Sequence, residues 1–352
     1  NIAFQMKGHR ATIFPASNIW VVTNTTGNDG GIEKLISLMD NQGTPFYQRK
    51  TDPSKGLIRA NDVVIIKINS QWDQRGGTNT DLVKALVRAL LNHPDGFQGE
   101  IVIADNGQDQ FGSAGNGGSL AWNQSNAIER SQSIQKVVDS FASSHRVSGF
   151  LWDMITLNAV KEYQEGDYQD GFVVASAPSP DSGIIISYPK FKTAFNTYIS
   201  FKEGVWDRER KQYKSDRLKV INIPVLKSHG GYGVTASIKN YMGTTSDKLT
   251  RHNAHRSVGT GGMGTQMAET HFPVLNIIDA IWVNPHPGSG PQTSYDRAVE
   301  ADIIAASTDP IALDTWAATA ILIKAACQLG YTDVSSFSPF SQKPGSFGNY
   351  LE

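Results

Sequence analysis

One cysteine, Cys327, in 352 residues rules out an intrachain disulfide, a cysteine-ligated zinc site and a self-contained iron–sulfur cluster. Its setting, AILIKAACQLG, reads as a helix, and the expectation for Cys327 is a small core hydrophobe. Excess charge of either sign is also lacking. The net charge is −1 and the pI about 6.8, which excludes a broad electrostatic grip on nucleic acid or an anionic membrane surface. No run approaches the roughly 18 uncharged apolar residues of a bilayer-crossing helix, so no membrane span is expected. The G-x-S-x-G elbow, the H-E-x-x-H pair, the phosphate-loop pattern and the Rossmann glycine fingerprint are missing too.

What is present is a core-forming chain rich in neutral polar residues. Hydrophobic residues make up 39%, charged residues 18%, and there are 33 glycines. IWVVTN (19–24), DVVIIKIN (62–69), EIVIADNG (100–107) and LKVINIPVLK (218–227) read as strands. Their continuous apolar runs suit strands buried on both faces. Helical spacing in GGIEKLISLMDNQG and DLVKALVRALLNHPDG separates them, and IERSQSIQKVVDSFASSH is a further helix. This predicts an α/β fold, a mostly parallel sheet of β-α-β units with helices on both faces.

The chain is read as one unit, 1–352, with a recognisable core over 62–320. The pattern permits two lobes, 1–150 and 151–330, around a crevice, with 331–352 as an irregular tail. Residues 106–126 and 243–270 read as long glycine-rich loops, and FKEGVWDRERKQYKSDR as a solvated connector. The chain begins at Asn1 rather than Met. That is compatible with an extracytoplasmic protein, periplasmic or secreted, whose leader has been removed.

Chemistry concentrates in two places. In LKSHGGYGVTASIKN (226–240), Lys227 and His229 share one side of a continuing strand. Thr235 is a candidate cap and Lys239 lies one turn inside the next helix. Free amides at that helix start would favour an anion. After VVIIKIN, Lys67 points inward, and Arg75, Gly76, Gly77 and Thr78 precede a second helix start. A buried lysine needs a partner or an anion, and two basic segments at strand ends point to one crevice. Five of the eight histidines, 229, 252, 255, 271 and 286, fall within 58 residues, where metal or acid–base work is expected. Asp105, Asp279, Asp309 and Asp314 are the carboxylates available to bind metal, orient a histidine or cap a helix, with capping expected of Asp309.

The order of VVIIKIN, GGTNTDLVKALVRAL, GEIVIAD, INIPVLKSHGGYGVTASIKNYMG, NIIDAI, GSGP and IAASTDPIALD resembles the domain of unknown function 362 family. Many of its members carry ferredoxin-like cysteine clusters that this chain lacks. A remoter similarity is to nickel-dependent lactate racemase, whose histidine–lysine–histidine spacing is matched by His229, Lys239 and His255. That resemblance implies a nickel cofactor contacted by Lys239 and ligated by His255, a proton-transferring His229, and a phosphate held by Arg75 and Thr78.

The candidate catalytic residues are therefore His229, Lys227 and Lys239. The cofactor-binding set is Lys67, Asn69, Arg75, Thr78, Thr235 and Asn240, and the metal set is His255, His252 and Asp279, for nickel or another divalent ion. The expected function is an enzyme that binds a metal or a small carboxylated or phosphorylated molecule, with racemase-like proton transfer. The alternative is a non-catalytic exported protein for ligand binding or assembly, and the chain is compatible with an oligomer or larger assembly.

Overall fold

The computed structural model of the chain describes residues 17–107 and 117–351. Its central sheet runs in the order Trp20–Thr23, Val299–Ser307, Leu275–Asn284, Leu218–Asn222, Val63–Lys67, Glu100–Asp105, Val147–Leu151. The last five are mutually parallel. Val299–Ser307 pairs antiparallel with its neighbours on both sides, so it alone is reversed along this path. Val225–His229 branches off beside Leu275–Asn284 and forms a hairpin with Gly233–Thr235.

The strand sequences explain this placement. VVIIK and EIVIAD are buried at every position, as strands covered on both faces must be. Successive side chains alternate between faces. Val64, Ile66, Ile101 and Ile103 join a core with the helices Gly31–Asn41, Thr80–Leu91 and Ile134–Ala142. Val63, Ile65, Val102 and Ala104 join the opposite core. Asn79 accepts from the Leu82 amide and Ser133 from the Lys136 amide, each satisfying an otherwise orphaned helix donor.

The β-α-β pattern holds to residue 151 and then gives way. Five antiparallel strands between Gly171 and Lys214 form a second sheet. The segment expected to be a solvated connector is in fact the hairpin Gly204–Asp207/Gln212–Lys214. Its Val205 and Trp206 are buried, and so short an alternation is easily hidden among charges. The supposed loop 243–270 contains the helices Asn253–Arg256 and Gly262–Glu269, with Met263, Gln266 and Met267 buried. In the tail, Phe337, Phe347 and Tyr350 are buried, and the Tyr350 hydroxyl donates to the Val234 carbonyl at 2.8 Å. Cys327 is exposed rather than core, because the helical run turns Ala325 and Ala326 inward instead. That run, Pro310–Gln328, is by length and composition apolar enough to cross a membrane, but it buries Leu313, Ala317, Ile321 and Leu322 in the protein.

Candidate functional site

The site lies where the sheet order reverses. From Val63–Lys67 the chain proceeds to Glu100–Asp105 and Val147–Leu151 on one side, then returns to Leu218–Asn222 on the other. Crevices open outside the carboxyl ends of strands at such points. Here a cavity of about 360 Å³ is lined by Asn69, Trp72, Asp105, His229, Thr235, Lys239, Asn240, Gly243 and His255, among others. A cleft of about 500 Å³ at the opposite ends of the strands includes Glu100, Arg146, Arg208 and Arg217. Arg146 there is already paired with Glu100 at 2.7 Å.

Three lysines are buried around the cavity, and their surroundings differ. Lys67 Nζ stands 2.7 Å from Asp105 Oδ1 and donates to the Ile68 carbonyl at 2.6 Å. The other carboxylate oxygen, Oδ2, accepts from the Ser70 amide and hydroxyl. The Gly243 backbone covers this pair so closely that a Cβ there would lie 2.1 Å from Asp105 Oδ1. Lys227 donates to the Gly76 carbonyl, tying the two basic segments together. Burial, then the Lys239 charge, push its pKa down to about 7, against Asp105. Lys239 makes no hydrogen bond among the described residues, and its Nζ lies 5.2 Å from the Tyr232 ring centroid. Burial brings its pKa down to about 8, with Asp247 opposing and Lys67 reinforcing the shift.

The histidines divide into different roles. His229 Nδ1 accepts the Gly231 N–H at 3.1 Å. Burial, then the charges of Lys239 and Lys227, hold its pKa down to about 2, so the imidazole is neutral with its hydrogen on Nε2. This tautomer makes His229 a hydrogen-bond donor, not the base that the sequence suggested. Asp247 is buried, and its Oδ2 lies 2.7 Å from His252 Nδ1 and 2.9 Å from His255 Nδ1. Its Oδ1 accepts the His255 amide at 3.0 Å. Burial would raise the Asp247 pKa, but the contacts of His255 and His252 outweigh it and hold it to about 2. The arrangement fixes the His255 ring and leaves its Nε2 without a protein partner among the described residues. Tyr232 donates to the His255 carbonyl at 2.7 Å, anchoring the same turn.

Several expected ligands have other duties. Asp279 accepts the amides of Asn79 and Ile281 and a 3.4 Å contact from Asn126, bracing the helix start instead of joining His252 and His255. Burial raises its pKa to about 6. No group of three or more His, Cys, Asp or Glu side chains among the described residues is arranged to hold a metal. Both His252 and His255 direct Nδ1 to Asp247. The expected phosphate loop is also engaged internally. Arg75 Nη1 donates to Asn126 Oδ1 at 2.6 Å and the guanidinium lies 4.2 Å from the Trp282 ring. The Thr78 hydroxyl bridges the Ile223 carbonyl and the Asn69 amide.

The second anion expectation also changes. The start of the short helix Ser237–Asn240 is filled by Asp314, which accepts the Ser237 and Ile238 amides at 2.8 and 2.9 Å, so neither Thr235 nor an anion is needed there. Asp309 does cap its helix, accepting from Ile311 and Ala312. His271 Nε2 donates to the Leu218 carbonyl at 2.9 Å, and His286 contacts Tyr331 and Arg297, outside the cavity lining.

The cavity keeps His229, Lys239, His255, Asn69, Thr235 and Asn240 from the expected set. Asn69 Oδ1 and Thr235 Oγ1 are buried without hydrogen-bond partners among the described residues. The Asn240 amide donates to Asn222 Oδ1 at 2.8 Å, and Asn222 donates to Asn276 Oδ1 at 2.9 Å, so a line of asparagines holds one wall. Sequence reading missed Asp247, Asn222 and Gly243. The one available signal was the burial expected of VIN, which leaves Asn222 needing internal partners.

Comparison with known proteins bears on the same region. A curated protein of Synechocystis sp. named as thylakoid-associated is 36% identical over 129 residues. The match covers 33% of this chain and 39% of the relative's length. Residues 214–319, which supply Lys227, His229, Lys239, Asp247 and His255 to the site, match the model of the family described as Domain of unknown function (DUF362).

Proposed function

We propose that the protein is an enzyme that admits a small carboxylated molecule to the cavity at the strand ends and transfers a proton at the carbon beside its carboxyl or carbonyl group. The observation that carries this reading is the Asp247–His255 contact, Nδ1 to Oδ2 at 2.9 Å, with the His255 ring on the cavity wall. A carboxylate on Nδ1 fixes the tautomer that presents a basic Nε2 and stabilises the imidazolium formed on protonation. His229 Nε2–H and the Lys239 Nζ hydrogens supply donors for oxygen atoms on which charge develops. The Thr235 hydroxyl and the Asn69 carboxamide add neutral contacts. Lys227, with its pKa lowered to about 7, is partly protonated at neutral pH and adds positive charge near the cavity, which favours an anionic ligand.

Incubation with a panel of small 2-hydroxy and 2-oxo acids in deuterated water tests this. Deuterium incorporation at the carbon beside the carboxyl or carbonyl group, read by NMR, is expected for at least one acid with the wild type and is lost with His255→Gln. Incorporation that persists in His255→Gln contradicts the assignment.

A further inference from the structure

Of the three lysines buried around the cavity, two have settled partners. Lys67 is held by Asp105 and the Ile68 carbonyl, and Lys227 by the Gly76 carbonyl. Lys239 is 6% exposed, lines the cavity with His229 and His255, has the Tyr232 ring face 5.2 Å from its Nζ, and among the described residues makes no hydrogen bond to a carboxylate, Asp247 acting on it through its charge alone. A buried ammonium without a paired carboxylate is costly, and its usual relief is loss of the proton. The neutral amine that results is a nucleophile. Its chain position reinforces this: Lys239 sits in the short helix Ser237–Asn240, whose start is pinned by Asp314, so the amine is carried on a fixed element.

We propose that Lys239 forms a Schiff base with an aldehyde or ketone group of the molecule bound in the cavity, which makes that molecule a small oxo acid. This rests on the reading of the cavity as an anion-binding catalytic site, and it narrows the substrate class. The Nζ lone pair attacks the carbonyl carbon, and the C=O π pair moves to oxygen. His255 Nε2 takes the proton leaving Nζ and returns it to that oxygen. The resulting hydroxyl takes the second Nζ proton, again by way of His255 Nε2, and departs as water as the nitrogen lone pair forms the C=N bond. One carbonyl and one amine yield one imine and one water, and no electrons are exchanged. The imine, once protonated, is the electron sink that makes the neighbouring C–H acidic, and the same His255 nitrogen is placed to remove it.

The test is reductive trapping on the full chain with glyoxylate and with pyruvate as probes. Sodium borohydride reduces an imine to a stable secondary amine, and peptide mass mapping locates it. The expected result is a saturable adduct on Lys239 in the wild type that falls at least about tenfold in Lys239→Arg and Lys239→Gln, with both variants melting as folded proteins. Probe-dependent stabilisation against heat with no adduct on Lys239 overturns the Schiff base and leaves anion binding standing. Neither stabilisation nor adduct with any oxo acid overturns both. Adduct spread over surface lysines without saturation also overturns the assignment.

Discussion

Lys67 and Asp105 face each other from neighbouring parallel strands, Nζ to Oδ1 at 2.7 Å, with both side chains buried. Desolvation lowers the Lys67 pKa, and the Asp105 charge and hydrogen bond oppose it. Removing one partner strands the other. Lys67→Met is therefore expected to cost about 3–5 kcal/mol of stability, and Lys67→Met combined with Asp105→Leu to cost less than Lys67→Met alone. Denaturant unfolding of the wild type, both single variants and the double variant checks this, and a double variant as unstable as the sum of the singles contradicts it.

Gly243→Ala is expected to disturb the same pair from above. Its Cβ would lie 2.1 Å from Asp105 Oδ1 and 2.6 Å from Lys67 Nζ, so overpacking of about 1–3 kcal/mol is predicted. The companion Gly264→Ala adds a Cβ with nothing within 4 Å on the helix Gly262–Glu269, and is expected to be neutral or stabilising by up to about 1 kcal/mol. Melting temperatures of the two variants separate the outcomes, and equal effects would show that Gly243 has no special contact.

Asp314 predicts a pH dependence. Burial raises its pKa to about 7, against the amides it caps. Between about pH 4 and 7 the folded state then holds a proton that the unfolded state has released, so this group's contribution to stability falls as pH rises through that window. Lys227 and Lys239, with pKa values lowered to about 7 and about 8, act in the other direction and at higher pH. The unfolded chain binds more protons there, and stability rises with pH above about 7 until the ordinary lysine range is reached. Chemical unfolding at a series of pH values is expected to show a shallower acid-side slope in Asp314→Asn and a shallower alkaline-side slope in Lys227→Met.

Asp247 acts through His255 and so is a positioning residue. Asp247→Asn is expected to slow deuterium exchange by about a hundredfold or more while small carboxylates still stabilise the protein against heat. Loss of binding together with exchange would assign Asp247 a structural role in the turn instead.

Much of the sheet was legible from local pattern. VVIIK and EIVIAD state their burial on both faces, and ASTDPIALD states its cap. The second sheet was not, because its strands are short and KEGVWD and RKQYK read as charge unless the hairpin pairing is known. The cavity was legible in part for a similar reason. His229, Lys239 and His255 stand out as residue types, but their roles depend on what each nitrogen meets. The Gly231 amide decides the His229 tautomer, and Asp247, in an unremarked TTSDKLT, decides that of His255. Arg75 and Thr78 looked like ligand groups because their partners, Asn126 and the Ile223 carbonyl, lie 51 and 145 residues away. Asp279 was misread likewise, since its partner Asn79 is 200 residues distant.

The most direct measurement is an experimental structure of the protein with a small oxo or hydroxy acid that stabilises it against heat. The account predicts the acid at the carboxyl ends of the parallel strands, its oxygens on His229 Nε2 and Lys239 Nζ, and its reactive carbon facing His255 Nε2. Occupancy of the arginine-lined cleft at the other end of the sheet, with the Lys239 cavity empty, would contradict it.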